Sequence, residues 1–201
     1  TFTNVVDTTP PVITFPPNAA GAATAAITVN ENQTAVQTLL VSEASTWSIV
    51  TGNDGAKFSI NASGELRFVS APNYEDPQDS DHNNTYIVVV KATDAALNNS
   101  TQTITVTVAD VNEAPLFTAP NGPGATSYVF SYAAGQAASA TLGTVTATDP
   151  EGTALTYAIA SGGPDGLYSA RMTAEGTLTF ADLRVYHPPG NPYFIGQTWH
   201  T

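Results

Sequence analysis

Cysteine is absent from the 201 residues, so neither a disulfide framework nor a thiolate metal site can form, and cysteine usage leaves the redox compartment open. Positive charge is scarce: 5 Lys+Arg stand against 17 Asp+Glu, a formal charge of -12. That balance excludes a surface built to neutralise nucleic-acid phosphates or anionic lipid, and it makes a cation the natural partner. Charge of either sign is rare, at 11% of residues against roughly 25% in an ordinary soluble domain. Solubility must rest on Thr, Ser, Asn and Gln, and each carboxylate invites its own explanation. No apolar run approaches the roughly 18 residues of a membrane span, so no direct membrane insertion is expected. The chain opens on Thr1 with no basic-then-apolar leader, so a targeting signal is expected to lie outside it, and the chain is expected to be a fragment of something longer.

What is present is strand sequence. Hydrophobic residues make up 42% of the chain, enough to bury a core, and its length suits two domains of about 100 residues. Ala26-Ile27-Thr28-Val29, Thr85-Tyr86-Ile87-Val88-Val89-Val90-Lys91 and Thr103-Ile104-Thr105-Val106-Thr107-Val108 alternate apolar with polar or run β-branched, and Gly, Asn, Asp and Pro separate such runs. Helical periodicity is almost absent. An all-β fold follows, of Greek-key sandwiches with one face of each sheet buried, about seven strands to about 100 residues.

Two proline-marked joints divide the chain: Asp7-Thr8-Thr9-Pro10-Pro11 and Asp110-Val111-Asn112-Glu113-Ala114-Pro115. The expected organisation is an upstream linker at 1–10, a first repeat at 11–110, a linker at 111–115 and a second repeat at 116–201. The repeats align by spacing. Trp47-Ser48-Ile49 corresponds to Tyr157-Ala158-Ile159 and Phe58-Ser59 to Tyr168-Ser169. After two inserted residues, Ser63-Gly64-Glu65-Leu66-Arg67-Phe68 aligns with Glu175-Gly176-Thr177-Leu178-Thr179-Phe180, and Tyr74-Glu75-Asp76-Pro77 with Tyr186-His187-Pro188-Pro189. The first unit runs 36 residues from Tyr74 to Asp110, whereas 15 follow Tyr186, so the second sandwich is expected to stop before its last strand or strands.

The alignment gathers the carboxylates. Glu31 lies in Asn30-Glu31-Asn32 at the end of an early strand and Glu75 in Pro72-Asn73-Tyr74-Glu75. Asp110, Asn112 and Glu113 form the joint, and Asp149 and Glu151 occupy the turn Thr148-Asp149-Pro150-Glu151-Gly152 of the second unit. A joint flanked by oxygen ligands from both sides suits a hard divalent cation, because Ca²⁺ takes six to eight oxygens. Six carboxylates gathered there would repel one another by on the order of 4 kcal/mol per close pair at an effective dielectric near 20. Two or three Ca²⁺ would offset that charge, with affinities of roughly 10⁻⁴ to 10⁻³ M expected of extracellular modules.

These motifs resemble tandem cadherin repeats, in particular the bacterial cadherin-like repeats of large surface proteins. Asn30-Glu31-Asn32 is similar to the family's early acidic motif, and Asn73-Tyr74-Glu75 stands where Asp-Arg-Glu would. Asp110-Val111-Asn112-Glu113-Ala114-Pro115 resembles the Asp-x-Asn-Asp-Asn-Ala-Pro linker. Asp149-Pro150-Glu151 sits where the next repeat has Asp-x-Asp, and Ala92-Thr93-Asp94 matches the Ala-x-Asp motif before the last strand. The resemblance implies calcium at Glu31, Glu75, Asp110, Asn112, Glu113, Asp149 and Glu151, stiffening consecutive sandwiches into a rod. It also implies an adhesive or structural role at the surface of an exporting bacterium, with other cell-surface proteins as partners. The outer ends depart from the pattern. Ser42-Glu43-Ala44-Ser45 replaces the acidic turn, the joint at Asp7 lacks the linker motif, and the second unit has Ala134 and His187 where the first has Glu31 and Glu75. One junction alone is therefore expected to keep ligands from both sides.

Other features are weaker. Asp79, Asp81 and Asn83 alternate like an EF-hand opening, but Asn84 stands where glycine is needed and Val90 where glutamate is, so the run reads as a solvated loop. None of His82, His187 and His200 is paired with a nucleophile or a second ligand histidine, and no enzyme is expected. Trp47, Phe58, Phe68 and Tyr86 sit at period-two core positions rather than on a sugar-stacking face. The competing reading is a calcium-dependent carbohydrate-binding module attached to a polysaccharide-degrading or attachment protein.

Overall fold

The computed structural model describes residues 6–119, 122–123, 127–128, 141–157, 168–172, 177–183 and 199–200. The chain divides into two compact units, Thr1–Val111 and Asn112–Thr201.

In the first unit the β-branched runs become strands: β1 (Ile13–Thr14), β2 (Thr24–Asn30), β3 (Ala35–Thr38), β4 (Leu40–Val41), β5 (Ser45–Ile49), β6 (Phe58–Ile60), β7 (Glu65–Phe68), β8 (Thr85–Asp94) and β9 (Asn99–Ala109). A single 3-10 turn, Gly55–Lys57, precedes β6. One layer is the four-stranded sheet β2-β9-β8-β5, the other the three-stranded sheet β3-β7-β6 with the β1-β4 pair, β3 and β4 being separated only by Leu39. All-β sandwich architecture is what the alternation of apolar and polar residues predicts. Along β8, Tyr86, Val88, Val90, Ala92 and Asp94 are buried, and along β9 Gln102, Ile104, Val106 and Val108 are buried, each at every second position.

The core between the layers joins Tyr86, Val88, Val90, Ala92, Ile104, Val106 and Val108 to Ile13, Phe15, Leu39, Phe58, Leu66 and Phe68. Phe58 stacks on Phe68 at 4.5 Å, and Tyr86 meets Phe68 edge-on at 5.1 Å. Burial pushes the Tyr86 hydroxyl pKa up while the hydroxyl oxygen accepts the Gln78 amide at 3.0 Å. Trp47 is half-buried against this core. Gly64 closes the turn before β7 at φ +78, where a Cβ would stand 2.5 Å from the Leu39 carbonyl oxygen, so only glycine fits.

One pairing matters most for function. β2 and β9 run parallel, in register from Thr24↔Thr103 to Asn30↔Ala109. Both strands therefore end at the same pole, which sets Glu31 beside Asp110.

The second unit contains β10 (Leu116–Ala119), β11 (Ser127–Tyr128), β12 (Thr141–Thr144), β13 (Thr146–Thr148), β14 (Tyr168–Met172), β15 (Thr177–Leu183) and β16 (Trp199–His200). β10 pairs antiparallel with β13, β12-β15-β14 form a sheet, and β11 pairs with β16. The aligned positions Ala158-Ile159, Glu175-Gly176, Tyr186, His187, Pro188 and Pro189, and the substituted Ala134, lie outside the described residues. Among the described residues no helix is long and apolar enough to cross a membrane.

Candidate metal centre

The site is built on the pole where β2 and β9 end. Glu31 follows β2, and its amide donates to the Ala109 carbonyl at 3.0 Å, prolonging the strand pairing by one bond. Its side chain is 3% exposed, and a buried carboxylate needs donors to replace water. Two backbone amides provide them: Tyr74 N donates to Oε2 at 2.8 Å and Val111 N to Oε1 at 2.9 Å. Asn32 then takes φ +61, a left-handed conformation that Asn tolerates better than most residues, and its amide donates to the Pro72 carbonyl at 2.9 Å.

The 72–75 loop is therefore held from several sides. The Tyr74 amide is fixed by Glu31, and its carbonyl accepts the Asn84 side-chain amide at 2.8 Å. Asn73 Oδ1 accepts the Glu75 amide at 2.9 Å, an Asx turn that sets the direction of the Glu75 side chain. The outcome is that Glu31, Glu75 and Asp110 each bring a carboxylate oxygen within 4.8 Å of the others.

In the second unit the register of β10 and β13 does the positioning. Leu116 faces Thr148, and three residues outward on both strands lie Glu113 and Glu151. The Glu113 amide donates to Glu151 Oε1 at 2.8 Å. That amide, helped by the nearby Glu113 carboxyl, holds the Glu151 carboxyl down at about 2. Glu151 Oε2 is buried with no hydrogen-bond donor reaching it. Asp149 opens the turn: its carbonyl accepts the Gly152 amide at 3.0 Å, and Oδ1 accepts the Thr153 amide at 3.2 Å. Asn112 is exposed and gives its side-chain amide to the Glu113 carbonyl at 3.1 Å.

The structure thus gathers Glu31, Glu75 and Asp110 in the first unit and Glu113 and Glu151, with Asp149 in the adjoining turn, in the second, while Asn112 turns to its own neighbour. The donor set fits calcium. Ca²⁺–O distances of about 2.3–2.6 Å allow oxygens up to about 5 Å apart on one ion, which the 4.8 Å spacing meets. All the ligands are hard oxygens.

Sequence reasoning passed over a second trio. Asp7, Glu43 and Asp94 also bring carboxylate oxygens within 4.8 Å of one another at the other pole of the first unit, the end expected to lack ligands. Asp94, 6% exposed, accepts the Asn98 amide at 2.9 Å and the Asn98 side-chain amide at 2.9 Å. The same Asn98 side chain donates to the Asp7 carbonyl at 3.1 Å. The available signal was Ala92-Thr93-Asp94 itself, which called for acidic partners at that pole outside the usual motifs.

The acidic loop is exposed over residues 80–83, as expected of a solvated loop, but it is built around one buried carboxylate. Asp79, 2% exposed, accepts the Asn83 amide at 2.8 Å and the Asn84 amide at 3.1 Å. Burial opposes its ionisation, but these amides outweigh it and hold the Asp79 carboxyl below its ordinary value. The hydrogen bond Asp81 shares with Asp79 pushes Asp81 up. His82 and Asn84 take φ +56 and +63, so the loop coils around Asp79 rather than opening toward an ion.

No protein-family model matches the sequence. No curated protein matches it. Solved structures do. Human protocadherin-24 EC1-2 is 19% identical, with a TM-score of 0.48 over 85% of this chain and 77% of that one. Drosophila N-cadherin EC1-4 is 16% identical, with a TM-score of 0.45 over 87% and 41%. Protocadherin gammaB7 EC3-6 is 13% identical, with a TM-score of 0.42 over 89% and 40%. These neighbours are cadherin ectodomains. The chain spans about two fifths of the last two.

Proposed function

We propose that this chain is a calcium-stiffened structural and adhesion module of an exported bacterial surface protein, two cadherin-like repeats (11–110 and 116–201) joined by a calcium-binding linker at 111–115. The observation that carries the reading is the trio Glu31, Glu75 and Asp110, three carboxylates whose oxygens lie within 4.8 Å of one another at the pole where β2 and β9 end. Glu113, Asp149 and Glu151 supply the second unit's oxygens, and the Glu151 Oε2 atom that no donor reaches is of the kind a cation satisfies. Bound calcium supplies positive charge that offsets the mutual repulsion of the acids within each unit. Glu31 holds the 72–75 loop and the first linker residues by their amides, Glu75 and Asp110 present further oxygens, and Glu151 orients the linker at Glu113.

The module is non-enzymatic, lies outside the cell, and holds a distal binding region away from the surface, with other cell-surface proteins as partners. Small-angle scattering with and without EDTA tests this directly. Calcium should lengthen and narrow the particle, and an unchanged maximum dimension would overturn the reading. Carbohydrate binding is less well supported, because Phe58, Phe68 and Tyr86 are buried in the core and offer no stacking face.

A further inference from the structure

The backbone on either side of Asn112 is tied down before any cation is considered. Going outward from β9, the Ala109 carbonyl accepts the Glu31 amide at 3.0 Å, and the Val111 amide donates to Glu31 Oε1 at 2.9 Å. One carboxylate thus holds the chain for two residues beyond the strand, and its other oxygen holds Tyr74. Glu31 is itself buried, so these bonds do not compete with solvent as surface bonds do. From the other direction, the Glu113 amide donates to Glu151 Oε1 at 2.8 Å. Exposed Asn112 stands between the two tied amides.

We infer that each unit carries its own carboxylate clamp on the linker, Glu31 on the Val111 amide and Glu151 on the Glu113 amide, and that the joint is a two-residue hinge made of the torsions of Val111 and Asn112 whether or not a cation is present. Glu31 and Glu151 are then positioning residues as well as ligand candidates. The inference rests on the reading of 110–115 as a joint and does not require calcium. A linker of freely rotating residues would have to be ordered along its whole length by the cation, whereas a clamped one leaves the cation only the centre to fix.

Amide hydrogen exchange by NMR on the full chain in EDTA tests this. Val111 and Glu113 should exchange roughly tenfold or more slowly than Asn112, the protection expected of a hydrogen bond to a charged acceptor. Glu31→Ala should release Tyr74 and Val111 and spare Glu113, and Glu151→Ala should release Glu113 and spare Val111. Glu31→Gln keeps one acceptor oxygen and should restore protection at one of the two amides that Glu31→Ala frees. Core amides of Val88 and Val106 should hold throughout, which general destabilisation would not allow. Should Glu31→Ala fail to fold, Glu31→Gln and Glu151→Ala still decide the matter. Val111 and Glu113 exchanging as fast as Asn112 in wild-type protein would overturn the clamp, as would loss of protection spread evenly over all these amides. Protection that arises only on adding Ca²⁺ also overturns it and leaves the calcium reading standing. Clamped amides with no response to Ca²⁺ do the reverse.

Discussion

Replacing Asp110 with Asn should make the calcium-free protein more stable and the calcium response smaller. The oxygens of Glu31, Glu75 and Asp110 lie within 4.8 Å of one another. At that distance two unit charges repel by about 0.9 kcal/mol in a water-like dielectric and by about 3.5 kcal/mol at an effective dielectric of 20. Asp110 is exposed, so the lower figure applies to its two pairs, and Asp110→Asn removes about 2 kcal/mol of repulsion that the unfolded chain does not feel. For a unit of this size that corresponds to a rise on the order of 8 °C in melting temperature. With a dissociation constant of about 10⁻³ to 10⁻⁴ M, Ca²⁺ at about 10 mM should stabilise wild type by roughly 1.4 to 2.7 kcal/mol. The variant should gain much less, so the two melting curves converge in calcium and part in EDTA. Calorimetry at low ionic strength measures both, since salt would screen the exposed charge. A variant that melts at or below wild type in EDTA would refute the reasoning, and so would equal calcium shifts for the two proteins.

Three further outcomes are expected. The Glu151 side-chain carbon should titrate near 2 by NMR in calcium-free protein; because folding depresses this carboxyl, its contribution is present above the ordinary value of 4.5 and is lost as pH falls through about 2, and a midpoint near the ordinary value would contradict the Glu113 contact. Asp54→Ala should cost about 2–4 kcal/mol in chemical denaturation, because it strands the Ser80 and Ile87 amides, each now 2.8 Å from an Asp54 oxygen; a change near zero would mean that water replaces the carboxylate. Asp94→Asn should lower the calcium stoichiometry measured by titration calorimetry without altering the response at Asp110, and an unchanged stoichiometry would show that the Asp7, Glu43 and Asp94 group holds no ion.

Strand alternation was the legible part of the fold. Phe58, Phe68 and Tyr86 are read as core from their period-two settings, and all three are buried. Alternation carries no information about partners, however, and the parallel pairing of β2 with β9 joins residues about eighty positions apart that no local pattern connects. The acidic motifs named Glu31, Glu75 and Asp110, which the structure draws together. They did not name Glu43 as a partner for Asp7 and Asp94, because that convergence is made by tertiary contact and the turn around Glu43 departs from the motif. Asp79 is the buried exception within a solvated loop for a different reason. An alternating acidic run looks solvated, yet a tight loop with left-handed residues at His82 and Asn84 leaves amides that need an acceptor, and the nearest carboxylate moves inside to meet them.

The parallel alliance of β2 and β9 also decides how the first unit would bear tension. A pull on the chain enters at the two ends, through the segment before β2 and through the residues leaving β9 at Ala109. Because the strands run the same way, such a pull slides one along the other, and the ladder from Thr24↔Thr103 to Asn30↔Ala109 is loaded in shear with all its rungs sharing the force. An antiparallel terminal pair pulled from one end would instead part rung by rung. A tether built of such units would resist stretching through its strand order, with or without an ion at the joint.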